Sequence, residues 1–383
     1  MARTVALAVD LGASGGRVVS GAFDGRLIEL EEIHRFENGP VAMGGQLVWD
    51  LPRLWQEVCG GLRAAAARHG GIASVGVDTW GVDFAFLAAD DSLLANPVCY
   101  RDPRTRGMLA AAEQVVPREE IFAATGLQFM EINSLYQLLA LRARRSPVLE
   151  AADRLLMIPD LFHWLLSGRR SNERTNATTS QCFDPRRNDW AFGMLERFGL
   201  PRQIFGPVVE PGTDLGPLRP EVAAETGLGG ARVVVPGTHD TASAVVAVPA
   251  AEPPSSRPDW CYVSLGTWAL VGCELDRPLV TPECLALNFT NEGGVGGTTR
   301  LLKNVVGGGV KNRLLCQMIA DATGRPVVAG PVEATAIGNL LVQLVGRDGI
   351  VDLRAVREIV RHSFEPETFE PRAAAAWDAR LAS

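Results

Sequence analysis

Long apolar runs are missing from this 383-residue sequence. No stretch approaches 18 uninterrupted apolar residues, which excludes a membrane-spanning helix. The opening run Val5 to Val9 stops at Asp10, too short for the core of a signal peptide, so a cytoplasmic protein is expected. Basic runs are absent as well. With a formal net charge of −7, neither nucleic acid nor an anionic membrane surface is expected as a partner. Paired cysteine motifs are also lacking: the seven cysteines, at 59, 99, 182, 261, 273, 284 and 316, form no C-x-x-C. Their odd number and scatter predict reduced thiols rather than a disulfide framework or a zinc site.

What remains is the profile of a soluble globular protein, 47% apolar and 21% charged. The length exceeds one typical core and suits two domains. Pro249 to Pro258, rich in Pro, Ser, Glu and Ala, is the best boundary and divides the chain into 1–248 and 259–383.

The chain is organised around Gly237-Thr238-His239-Asp240-Thr241-Ala242-Ser243-Ala244, which follows the apolar run Val233 to Val235. Apolar β-branched residues, then Pro-Gly, then small hydroxyl-bearing residues predict a strand, a tight turn and a helix start. Asp240 at the mouth of that helix has the chemistry of a general base for a substrate hydroxyl, and the helix end favours incoming negative charge. An ordinary helix N-cap is the competing reading, since Asp is a preferred cap.

Thr4 to Asp10, Val18 to Phe23 and Leu27 to Phe36 are predicted as three strands of an antiparallel meander, the last two joined at Asp24-Gly25. The first turn, Leu11 to Arg17, carries three glycines that allow positive φ and close approach, so its backbone N–H groups can wrap phosphates. It is not a P-loop, because no Lys-Ser/Thr pair follows. Asp10, closing a buried strand, is placed to hold Mg²⁺ through water. Leu51 to His69 has helical spacing. Beyond it, Val75 to Asp78 and Val82 to Leu87 are two strand-like runs, each with an aspartate, separated by Thr79-Trp80-Gly81. Asp78 and Asp83 read either as loop polarity or as a sugar site for which Trp80 offers an apolar face.

The second half begins as the first did: Trp260 to Leu265, a Gly266-Thr267 turn, Trp268 to Cys273, and a third strand from Thr298 to Lys303. The repeat predicts two related domains, each offering a hairpin turn to one nucleotide between them. Further on, Val305 to Asn312 reads as a strand and glycine turn, Arg313 to Thr323 as a helix, and Glu333 to Val345 as another.

Taken together, Val9 to Arg17, His34-Arg35-Phe36 with Asn38-Gly39, Val77 to Phe84, Tyr100-Arg101-Asp102, Thr175 to Thr179, His239 to Ala244, Gly266-Thr267-Trp268, Thr290 to Gly294, Leu302-Lys303-Asn304 and Gly330 to Ala334 resemble the FGGY carbohydrate kinases. The resemblance runs through most of the chain. It implies an α/β architecture of two actin-like (ribonuclease H-like) ATPase domains with a central cleft. It also implies that Ala13, Ser14, Gly15, Gly16, Arg17 and Thr267 contact the ATP phosphates, and that Gly308 contacts the adenosine end. Gly81, His239, Asp240, Thr241 and Asn304 would hold the sugar, with Asp240 accepting the proton. The implied reaction moves the ATP γ-phosphoryl group, with Mg²⁺, to the 1-hydroxyl of L-rhamnulose. L-fuculose or L-xylulose are the alternative substrates.

The sequence departs from the family at one place. Asn304 runs straight into Val305, where the resemblance implies roughly a hundred more residues, about a small domain, including a glutamine that touches ATP. The second domain is therefore expected to be shortened. A backbone continuous from Asn304 to Val305 marks a true deletion, whereas a break marks an omitted segment. A true deletion would leave apolar surface uncovered and raises a third possibility, a sugar- or nucleotide-binding remnant without catalysis.

Overall fold

The computed structural model describes residues 3–265, 269–305, 313–346 and 350–372. In chain order the elements that build the site are β1 (Thr4–Leu11), β2 (Gly15–Phe23), β3 (Ile28–Glu37), α1 (Leu51–Arg68), β4 (Ser74–Thr79), α2 (Ile158–Ser167), α3 (Arg174–Ala177), β5 (Asp214–Pro217), β6 (Arg232–Val234) and α4 (Asp240–Val246). They continue with β7 (Tyr262–Leu265), β8 (Ala269–Leu275), β9 (Thr290–Gly293), β10 (Thr299–Val305), α5 (Ala334–Leu344) and α6 (Leu353–Ser363).

The first sheet has the order β5-β6-β4-β1-β2-β3. The meander β1-β2-β3 is antiparallel as its short turns require, whereas β4 joins β1 in parallel and β6 joins β4 in parallel. Parallel neighbours need crossovers, and α1 supplies the first. Asp50 caps that helix, accepting from the Arg53 N–H at 3.3 Å, and Pro52 sits in its first turn. Its buried stripe, Leu51, Leu54, Val58, Leu62 and Ala65, lies on one face of the sheet.

Alternation along the strands decides which helices cover which face. Leu7, Val9, Leu11, Val75 and Val77 point toward α1 and α2, and each fully buried side chain of this kind contributes about 1.5–3 kcal/mol. Ala6 and Ala8 point the other way, into a core with Ile337, Leu340, Leu341 and Leu344 of α5. Gly76 shares that face: a Cβ there would meet Gln343 Nε2 at 2.7 Å and Asn339 Oδ1 at 2.9 Å. Small residues let α5 lie close. The chain therefore returns, after building its second sheet, to cover the first one. Next to α5 lies α4, and α6 packs beyond both.

The second sheet has the order β7-β8-β10-β9 and is antiparallel throughout. The expected meander is present as β7, β8 and β10. The outer strand β9, rich in Gly and Asn, carries no strand pattern in the sequence. Asn304 and Val305 are successive residues of β10, paired in register with Leu270 and Ala269. Among the described residues no parallel strand extends this sheet. The second half is thus shorter than the first at the place where the sequence departs from the family.

Candidate active site

A cleft of about 230 Å³ opens between the two sheets, lined by Gly12 and Ala13 after β1, by Trp80 and Gly81 after β4, by His239, Asp240 and Thr241 at the start of α4, and by Ser264, Leu270 and Glu292 of the second sheet. The far wall is Tyr100, Gln128, Met130, Asn133 and Thr179. Polar groups thus converge on a surface that also carries apolar faces, as a small polar ligand requires.

Asp240 is the first helical residue of α4, with His239 in the N-cap position. Its Oδ1 accepts from the Thr241 N–H at 2.6 Å and the Thr241 hydroxyl at 3.1 Å. Oδ2 has no partner among the described residues. The side chain keeps 32% of its surface open to the cleft. Even so, desolvation raises its carboxyl above the ordinary range; His239 opposes the rise and Asp10 adds to it.

The loop that carries Asp240 is held from below by Glu173. This buried carboxylate accepts from Thr175 N–H (2.7 Å) and hydroxyl (2.5 Å), and from Thr238 N–H (3.0 Å) and hydroxyl (2.6 Å). Burial pushes the Glu173 carboxyl up, and these hydrogen bonds pull against it. Thr175 Oγ1 in turn accepts from the His239 N–H at 3.1 Å. Glu173 was not singled out in the sequence, because its partner Thr238 is 65 residues away. The local signal was the family-like stretch Thr175 to Thr179 that follows it.

Around the first hairpin, Gly12 N–H donates to Gly15 C=O at 2.8 Å, and the Asn38 side chain donates to Gly12 C=O at 2.8 Å. Positive φ was expected of the glycines here; Gly12, Gly15 and Gly16 do not have it. What they supply is room: a Cβ on Gly16 would come within 2.4 Å of the Phe36 ring. Ala13 lines the cleft, Ser14 is exposed at the tip, and Gly15, Gly16 and Arg17 lie in β2. Arg17 donates to Asp10 Oδ2 from Nε (2.9 Å) and Nη2 (2.7 Å), and its Nη1 pairs with Glu333 just before α5.

Asp10 faces Asp78 in register across β1 and β4. Asp78 is wholly buried, accepts from the Asn339 side chain, and among the described residues has no hydrogen-bond partner on Oδ1. Burial, and then the Asp10 charge, raise its carboxyl well above the usual value, with Asp240 adding to the effect. Among the described residues no three His, Cys, Asp or Glu side chains form a metal-holding cluster. The corner offers oxygen ligands for a hard cation only in ones and twos, which is how Mg²⁺ binds when phosphates and waters complete its shell.

The reading of Asp78 and Asp83 as sugar contacts needs correction. Neither lines the cleft. Asp83 Oδ2 accepts from the Trp49 indole (2.7 Å), the Trp80 indole (3.0 Å) and the Tyr100 N–H (3.1 Å), and Oδ1 accepts from Gln137 (3.1 Å). It fastens the cleft wall from behind, while Trp80 itself lines the cleft. Gly81 also lines it, under Thr179, whose hydroxyl would be 2.9 Å from an added Cβ. Thr267 and Gly308 lie outside the described residues, as does the Asn304 side chain, though its backbone runs beside Leu270 of the cleft. Ala13, Gly81, His239, Asp240 and Thr241 are therefore brought together.

Known proteins resemble this chain along most of its length. Residues 5–247 match the model of the FGGY family of carbohydrate kinases, N-terminal domain, and residues 304–347 match that of its C-terminal domain. The chain is 35% identical to a rhamnulokinase of Bacteroides thetaiotaomicron over 474 aligned positions, covering 97% of each chain. It is 34% identical to a rhamnulokinase of Oceanobacillus iheyensis, covering 95% of this chain and 97% of that one. An alignment of 474 positions to a chain of 383 residues carries gaps on this side. Among solved structures, a ligand-bound xylulose kinase of Lactobacillus acidophilus superposes with a TM-score of 0.85 at 14% identity, covering 99% and 96% of the two chains. Plasmodium falciparum glycerol kinase with ADP superposes with a TM-score of 0.80 at 11% identity, covering 100% and 97%. These last two likenesses are of fold.

Proposed function

Since this chain belongs to the FGGY family of carbohydrate kinases and is a sugar phosphotransferase, we propose that its acceptor is L-rhamnulose and that Asp240 takes the proton of the 1-hydroxyl. The observation that carries the reading is the unpartnered Asp240 Oδ2 in a cleft that also contains the Gly12-Ala13 hairpin. The substrate name rests on the rhamnulokinases that align along nearly the whole chain.

In this mechanism the sugar lies between the Trp80 and Tyr100 wall and His239. Its hydroxyl proton passes to Asp240 Oδ2 as the oxygen bonds to the γ-phosphorus, and the bond to the β-phosphate oxygen breaks to release ADP. The cleft contributes orientation and exclusion of water, which otherwise accepts the phosphoryl group. Asp10, with Arg17 fixing one of its oxygens, would hold Mg²⁺ through water. When bound, that ion neutralises phosphate charge. We assign 1–248 and 259–383 as the two domains, with α5 of the latter completing the former.

Measuring ADP formation with L-rhamnulose, L-fuculose and L-xylulose side by side tests the proposal. Highest kcat/KM for L-rhamnulose is expected, and preference for either other ketose overturns the substrate assignment. A second reading, a binding protein without turnover, is favoured by one feature, a second sheet that gains no parallel strand among the described residues. Sugar binding by calorimetry with no ADP formed from any of the three would establish it.

A further inference from the structure

The second sheet reaches the catalytic loop through two side chains to which the sequence gives no role, Glu292 of β9 and Arg300 of β10. His239 Nδ1 lies 3.2 Å from Glu292 Oε2 and 3.1 Å from Arg300 Nη2, and those two atoms are 3.1 Å apart. On the other edge of the ring, Nε2 is 3.4 Å from Asp240 Oδ1. The Arg300 side chain is fully buried, and its Nε donates to Gly293 C=O at 2.9 Å. The Thr175 hydroxyl, accepting from the His239 N–H, fixes the backbone under the ring. All three contacts to the ring therefore come from regular secondary structure, β9, β10 and α4.

Proton placement follows from which groups can donate. A guanidinium has only donors, and an ionised carboxylate only acceptors. Burial works to raise the Glu292 carboxyl, but the Arg300 charge and then His239 outweigh it and leave the group below its ordinary range, so Glu292 is ionised. If the ring is neutral and Nδ1 accepts from Arg300, the hydrogen is on Nε2. If the ring is charged, both nitrogens carry hydrogen, with Nδ1–H facing the Glu292 carboxylate 3.2 Å away, so Nε2 still carries one. The third form, neutral with hydrogen on Nδ1, sets the Nε2 lone pair against the Asp240 carboxylate.

We propose that Glu292 and Arg300 are positioning residues that hold His239 with a proton on Nε2, facing Asp240 and the cleft. The ring then donates to Asp240 or to a sugar oxygen and does not compete as the base. The catalytic consequence rests on the assignment of Asp240 above, whereas the tautomer does not.

The test is ¹⁵N NMR of the full chain labelled only at its histidine nitrogens, with His239→Asn identifying the resonances of that ring, together with pH profiles of kcat/KM for Glu292→Gln and Arg300→Lys. In the wild-type protein the Nε2 resonance is expected in the protonated range. Glu292→Gln leaves the Arg300 charge unbalanced beside His239, whose other edge lies 3.4 Å from Asp240, so the acid limb of its profile moves to lower pH. Its kcat falls about tenfold, with KM for ATP unchanged. Arg300→Lys cannot serve both Gly293 and His239, so its ¹⁵N pattern shifts; if that variant fails to fold, the wild-type spectrum and Glu292→Gln decide. A wild-type ring protonated on Nδ1 alone, or a Glu292→Gln enzyme with unmoved ¹⁵N pattern and pH profile, overturns the proposal. Full turnover by Asp240→Asn with an intact ¹⁵N pattern would remove the base assignment and leave the positioning standing.

Discussion

Asp78, Asp83 and Asp240 are three carboxylates with raised protonation in one molecule, and their surroundings give them different work. Asp83 is buried behind the cleft wall, and desolvation pushes its carboxyl up to about 6 despite the donors of Trp49, Gln137, Trp80 and Tyr100. A group raised on folding contributes stability that is present below its unfolded value and lost as pH rises through the folded one. Relative to Asp83→Asn, the wild-type protein should therefore lose roughly 3 kcal/mol between about pH 4 and 7. Urea melts of both proteins at the two ends of that range check it, and a wild-type stability that holds level or rises relative to the variant as pH increases contradicts it. Asp240 is raised as well, first by desolvation, but it faces the cleft. As a base it works only when ionised, so the acid limb of kcat/KM is expected above the ordinary carboxylate range. Asp240→Asn should lose about 10²–10⁴-fold in kcat and keep its melting temperature and sugar affinity. Near-normal turnover in that variant would take the role from Asp240.

At the scale of elements, the closest joint is the crossing of α4 and α5, where an added Cβ on Gly338 would lie 1.8 Å from Ser243 C=O. Two helices can approach this closely only over glycine. Gly338→Ala should cost about 1–3 kcal/mol as overpacking and, by pushing α4 and Asp240 away, lower kcat more than it raises KM. A thermal melt and a kcat measurement on one preparation check this, and an unchanged kcat would mean that α4 is not set by α5. This joint also shows where the sequence stops being legible. The strands of the first meander, the helical spacing of α1, and the turn and helix start at α4 are local patterns of alternation and periodicity, and all could be read directly. The docking of α5 on the first sheet could not, because Ala6, Ala8 and Gly76 look like ordinary small residues until a helix some 260 to 330 residues later needs the space. The same reason hid Glu173, Glu292 and Arg300, whose partners come from remote segments. Strand β9 was missed because Thr290-Asn291-Glu292-Gly293 has no apolar alternation and owes its burial to what surrounds it.

For the whole molecule, the two halves of the cleft are unequally supported. The first sheet is covered on both faces, by α1 and α2 on one side and by α4, α5 and α6 on the other. In the second sheet Tyr262, Leu270 and Leu302 pack toward Val245 of α4, but on the opposite face the cross-strand pair Val263 and Val271 remains 39% exposed at each residue. Stability is local where buried apolar contacts are few, so this sheet should open before the first. Hydrogen exchange on the free protein is then expected to be fast in β7 and β8 and slow in β1 and β4. Ser264, Leu270 and Glu292 line the cleft, so a ligand bound there adds its binding energy to the weaker sheet, about 2.7 kcal/mol at a hundredfold excess over Kd. Saturating sugar with a non-hydrolysable ATP analogue should therefore slow exchange in β7 and β8 far more than in β1. Protection of β7 equal to that of β1 before any ligand is added would mean that the shortened half stands by itself, and that closure of the cleft does not depend on what fills it.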